Sequence, residues 1–226
     1  STFTGATSVL GGTLGLAGSG SLAASSGLAL TTGTTLDITN TTSGATVGGL
    51  SGLGNVTLGT ERLSLNQTTA GTYQGVISGT GSLVKAGVAR LDITGLQTLT
   101  GAVAVQGGTL GLAGAGSFGP SSTFALTTGT TLDIASTTSG TSVGSLSGLG
   151  NVVLGNERLS LNQGTAGTYE GVISGTGSLS KNDAARLDLT GTSTFTGATS
   201  VLGGTLGLAG SGSLAASSGL ALTTGT

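Results

Sequence analysis

LALTTGTTLDI, residues Leu28–Ile38, splits into Leu28-Ala29-Leu30, a tight polar segment Thr31-Thr32-Gly33-Thr34, and Thr35-Leu36-Asp37-Ile38. In both outer runs apolar residues alternate with small or polar ones, the period of a strand with one face buried. Strand, Gly-containing turn, strand is therefore the local reading. It recurs as Val56-Thr57-Leu58 before Gly59-Thr60-Glu61, and as Val103-Ala104-Val105 before Gln106-Gly107-Gly108. Leu-x-Leu or Leu-x-Ile triplets mark the same rhythm at Leu14, Leu36, Leu63, Leu91, Leu110, Leu132, Leu159, Leu187 and Leu206.

These triplets sit inside a longer repeat. Residues 1–34 recur unchanged at 193–226, and an imperfect copy lies at half that offset, where Glu61-Arg62 returns as Glu157-Arg158 and Lys85 as Lys181. The chain divides into units 1–96, 97–192 and a partial third, 193–226. Triplet spacings of 22, 27, 28 and 19 fill one 96-residue unit, so each triplet reads as one coil. The fold class expected is all-β, a right-handed parallel β-helix (β-solenoid) of about nine coils of roughly 24 residues, forming one continuous body. At about 4.8 Å per coil it would be a rod of roughly 40 to 45 Å, with Leu36, Leu63 and Leu91 stacked above one another. Hairpin architectures are disfavoured because their two-residue Asn-Gly or Asp-Gly turns do not occur.

Composition agrees. With 47 Gly and abundant Ser and Thr the chain could be disordered, but 36% hydrophobic residues and a mean hydropathy of +0.39 supply a core, which must be aliphatic because aromatics reach only 3%. About six buried aliphatics per coil would contribute on the order of 10 kcal/mol against ordering entropy. The two unit copies exchange Leu and Phe at Leu22/Phe118, Leu28/Phe124 and Phe3/Leu99, as core positions do. Val84/Ser180, Gly87/Asp183 and Gln74/Glu170 change polarity and read as solvent positions.

Functional inventory is thin. Six basic residues dispersed along a chain of net charge −2 cannot form a phosphate-binding surface, so nucleic acid is excluded as partner. Gly, Ser and Thr interrupt every apolar run, including the uncharged stretches from Ser1 to Leu36, Ile93 to Leu132 and Leu189 to Thr226, so the piece is not membrane-inserted. Without His, Cys or Met, triad and thiol catalysis and the common transition-metal sites are absent, and no cofactor is implied. Lack of cysteine also suits a chain threaded unfolded across a membrane. The acids, among them Asp37, Asp92, Asp133 and Asp188, recur in both units and read as a structural ladder, not a carboxylate pair for glycan cleavage. Asp37, Ser64 and Asp92 are expected at one outward position of successive coils, with Arg62 and Arg90 one step earlier. Thr-rich segments at Thr31–Thr35 and Thr127–Thr131 fall in turns, which argues against a flat ice-binding array. The Asn-x-Thr triplets at Asn40, Asn55 and Asn66 have no counterpart in the second unit. No catalytic, cofactor-binding or metal-ligating residue is assigned, and a binding face is left open.

From Gly79 to Leu110 the chain reads GTGSLVKAGVARLDITGLQTLTGAVAVQGGTL, and from Gly175 to Leu206 GTGSLSKNDAARLDLTGTSTFTGATSVLGGTL. Both resemble the autotransporter-associated β-strand repeat, and SLSGLGNVVLG (Ser145–Gly155) is of the same type. Asn182-Asp183 replaces Ala86-Gly87 and is expected to alter a turn. The resemblance implies a piece of the secreted passenger of a bacterial type V autotransporter. Such passengers are extracellular, displayed on the cell surface by an outer-membrane barrel outside this stretch. Partners would be host or abiotic surfaces, or the same protein on a neighbouring cell.

Overall fold

The computed structural model describes residues 2–120 and 122–223; Ser1, Ser121 and the last three residues of the partial unit lie outside them. Regular structure among the described residues is entirely β, in strands of two to seven residues that all pair in parallel. One circuit shows how the chain runs. Leu28–Leu30 lies on a first face, Thr35–Thr41 on a second and Ala45–Val47 on a third; the next strand, Leu50–Gly52, returns to the first face and pairs with Leu28–Leu30. The first and third faces are nine-stranded sheets, whereas the second is two five-stranded sheets with a break between Thr98–Leu99 and Thr141–Val143. Within the break Ser117 still bridges Leu96 in parallel.

A full circuit has six inward slots, two per face, filled by Leu28, Leu30, Leu36, Ile38, Ala45 and Val47 in the circuit above, all buried. That is the aliphatic load the composition required. Phe118, Phe124 and Leu99 are buried as expected, and the Phe118 and Phe124 rings meet edge to face at 5.2 Å. Phe3, on the first coil, is 45% exposed.

The coil is shorter than the triplets suggested. Partners on the first face follow one another at 19 to 23 residues, as in Leu28 to Leu50, Leu91 to Leu110 and Leu132 to Val152. About eleven coils of about 21 residues replace the expected nine of 24, and at about 4.8 Å each the rod spans about 50 Å. Three strands make a coil rather than two, so successive triplets do not mark successive coils. Leu36 stacks between Leu14 and Val56 on the second face, Leu63 between Ala45 and Leu83 on the third, and Leu91 between Gly71 and Leu110 on the first. The predicted single column is therefore three columns sharing one interior. Asp37, Ser64 and Asp92 likewise point from three different faces.

A further consequence is that the sequence unit and the coil are out of step. Thr7–Val9 lies on the first face, its copy Val103–Val105 on the third, and the next copy Thr199–Val201 on the second. Ninety-six residues fill fourteen strand positions, which is four and two-thirds coils.

Candidate functional site

Outward positions on the first face run Thr72, Asp92, Gly111, Asp133 and Val153. Arg90 reaches along this row. Its Nε donates to Asp92 Oδ1 at 2.7 Å and its Nη1 to Asp133 Oδ2 at 2.7 Å, two coils away. It does so by crossing Gly111, where an added Cβ would collide with the Arg90 guanidinium and Asp92. Asp133 belongs to the second sequence unit and Arg90 to the first, so the triad staples one unit to the next. Its groups are partly exposed, which limits each pair to under about 1 kcal/mol. Arg186 repeats the arrangement with Asp188, at 2.8 Å from Nε, over Gly207. Asp37, the first-unit copy of Asp133, instead accepts from Thr39 N and Oγ1. Among the described residues no three acidic side chains gather as a metal site.

Val84 and Ser180, read as solvent positions, are 9% and 5% exposed. They do point outward, but they lie within a flat sheet between close neighbours, Ser64 and Ala104 around Val84, and Ser160 and Ser200 around Ser180. Gln74, Glu170 and Asp183 are exposed as expected, and Gly87 is half-buried.

Several polar side chains that sequence reading passed over lie inside. Lys85 takes a core slot between Leu65 and Val105, wholly buried, with Nζ donating to Gly87 O and Gly107 O at 2.8 Å and Ala86 O at 3.2 Å. Burial pushes its ammonium down to about 8, while the carbonyl acceptors favour the charged form. Lys181 is held by Gly203 O and Asp183 O, so the changed turn keeps a carbonyl on the ammonium although Asp183 does not share the positive φ of Gly87. Gln97 accepts from Ile77 N at 2.7 Å and donates to Gly75 O and Gly95 O. Tyr73, also buried, donates to Gly54 O at 2.7 Å. These groups satisfy backbone at coil corners, where ladder bonds lapse.

Two surface grooves are copies of each other. The first, about 280 Å³, is bounded by Ser21 on one coil, Ser43 and Thr46 on the next, and Arg62 and Ser64 on a third. The second, about 450 Å³, has Ser117, Ser139, Ser142, Arg158 and Ser160 at the same places, widened by Leu96, Phe118 and Pro120 at the break in the second face. Both floors are set by a glycine with positive φ, Gly44 or Gly140, seated against the carbonyl of the groove's own arginine. The next amide closes the contact, Ala45 N to Arg62 O at 2.8 Å and Thr141 N to Arg158 O at 2.9 Å. From sequence Arg62 is expected beside an acidic row and Arg158 is its repeat copy; the structure shows no such row on one face, because Asp37, Ser64 and Asp92 lie on three.

The comparisons bear on this architecture. Over 130 residues, 54% of this chain, the sequence is 35% identical to the "Adhesin BmaC autotransporter" of Brucella suis biovar 1 (strain 1330). The aligned region covers 4% of that protein's length. No protein-family profile and no solved structure matches the chain. The adhesin match and the parallel solenoid together fit a piece of an autotransporter passenger.

Proposed function

We propose that this autotransporter-type repeat is displayed outside the bacterial cell as an extended stalk whose sides also act in adhesion, to a host or abiotic surface or to the same protein on a neighbouring cell. One observation carries this reading: the aliphatic burial that stabilises a coil is internal, so most outward positions can vary while length grows by adding coils. Likeness to an adhesin autotransporter supports surface exposure and a non-enzymatic role. Binding along such a rod would sum many weak contacts, each repeated with the sequence unit.

The exact recurrence of 1–34 at 193–226 favours a second reading, a passive spacer, because repetition changes reach without changing packing. Beads coated with the purified chain separate the two. Clumping that grows with coating density is expected for an adhesive face. Beads that stay dispersed at every density, and that coat neither glass nor a host-cell layer, overturn adhesion and leave the spacer.

A further inference from the structure

We propose that the two recurring grooves are binding sites for an anionic sugar, its carboxylate or sulfate held by Arg62 in one and Arg158 in the other. Four arginines are present, and they divide cleanly. Arg90 and Arg186 are tied to aspartates, whereas Arg62 and Arg158 are exposed and make no side-chain hydrogen bond or ion pair among the described residues. No acidic residue lines either groove. A guanidinium left open beside a cleft walled by hydroxyls suits a planar oxyanion carried on a polyhydroxylated ligand, which a fork of N–H donors meets bidentately. In the wider groove Leu96 and Pro120 add an exposed apolar edge against which a sugar ring can lie.

The geometry also sets valence. The grooves are four and two-thirds coils apart, about 22 Å along the rod, and open on adjoining faces. Two short oligosaccharides therefore bind independently.

Isothermal titration of the full chain tests this with three hexasaccharide probes: a hyaluronan fragment bearing carboxylates only, a heparin fragment bearing sulfates as well, and neutral maltohexaose. Expected is binding of at least one anionic probe at two sites per chain, weakening with salt, and none of maltohexaose. R158Q should reduce the stoichiometry to one. R62Q with R158Q should weaken binding at least tenfold, while R90Q leaves it unchanged. Unchanged far-UV dichroism and melting certify each variant, since both target side chains are exposed. The proposal is overturned if neither anionic probe binds at millimolar concentration, if maltohexaose binds equally, or if the double variant binds as the parent does. Bead clumping is read separately, so loss of sugar binding would leave the stalk reading intact.

Discussion

Lys85 is an ammonium in a column of aliphatic side chains, and its titration is built into the stability of the fold. Its folded pKa, about 8, lies below the unfolded value, so between pH 8 and about 10.5 the unfolded chain binds the extra proton and stability rises with pH. Lys181 is shifted in the same direction. Tyr73 and Tyr169 are pushed upward by burial and resist ionising while folded, so stability falls again above about pH 10, where their unfolded counterparts lose protons. Denaturation midpoints are therefore expected to climb from pH 7 to a maximum near pH 10 and then drop. K85M with K181M should flatten the rising limb, and a midpoint that falls steadily from pH 7 contradicts the assignment. Gly75 makes a different demand. It does not need positive φ, but a Cβ there would run into the carbonyl oxygen of Gly54 on the coil below, a backbone atom that cannot swing aside. G75A is expected to cost about 3 kcal/mol in urea unfolding, and a change below about 0.5 kcal/mol would show that the coils can part there.

Among the elements, strand existence was legible and strand succession was not. Alternation in Leu28–Leu30, Thr35–Thr41 and Val103–Val105 gave their inward faces directly. What hid the third strand of each coil was the occupant of its inner slots: Gly71 pairs with Leu91, Lys85 with Leu65, and Gly52 with Tyr73, so no Leu-x-Leu marks those strands. Counting triplets then stretched the coil to 24 residues and put Asp37 and Asp92 on one face. Arg62 and Arg158 were visible as repeated residues, but their groove is assembled from three coils and cannot be read along the chain. The buried amides are equally illegible, since their role is to mend a ladder between strands. Gln97 does this for Ile77–Gly79, and the partial third unit substitutes the shorter Ser193, whose Oγ lies 3.4 Å from Ile173 N. Q97S is therefore expected to cost less than Q97L, which strands Ile77 N, Gly75 O and Gly95 O at about 1 to 3 kcal/mol for each group left unpaired. Equal melting temperatures for the two variants would remove that role from Gln97.

At the scale of the molecule, any whole number of strand positions can be removed if the three-face order resumes at the seam. Deleting 97–192 takes out fourteen positions and joins Leu96 to Ser193, the copy of Gln97. The product is expected to stay folded, with undiminished far-UV dichroism per residue, and to be shorter by about 22 Å in small-angle scattering. Loss of β signal would show that the units are not interchangeable. The direction of the hydrogen bonds has one more effect. Each strand bonds only to the coils above and below it, so these bonds lie along the rod. A tether pulled by its two termini strains them a few at a time from whichever end yields first, and the rod peels circuit by circuit under modest force instead of shearing all at once. Repeated circuits of about 21 residues would then release slack in small, even steps, a mechanical fuse for anything fixed at the far end.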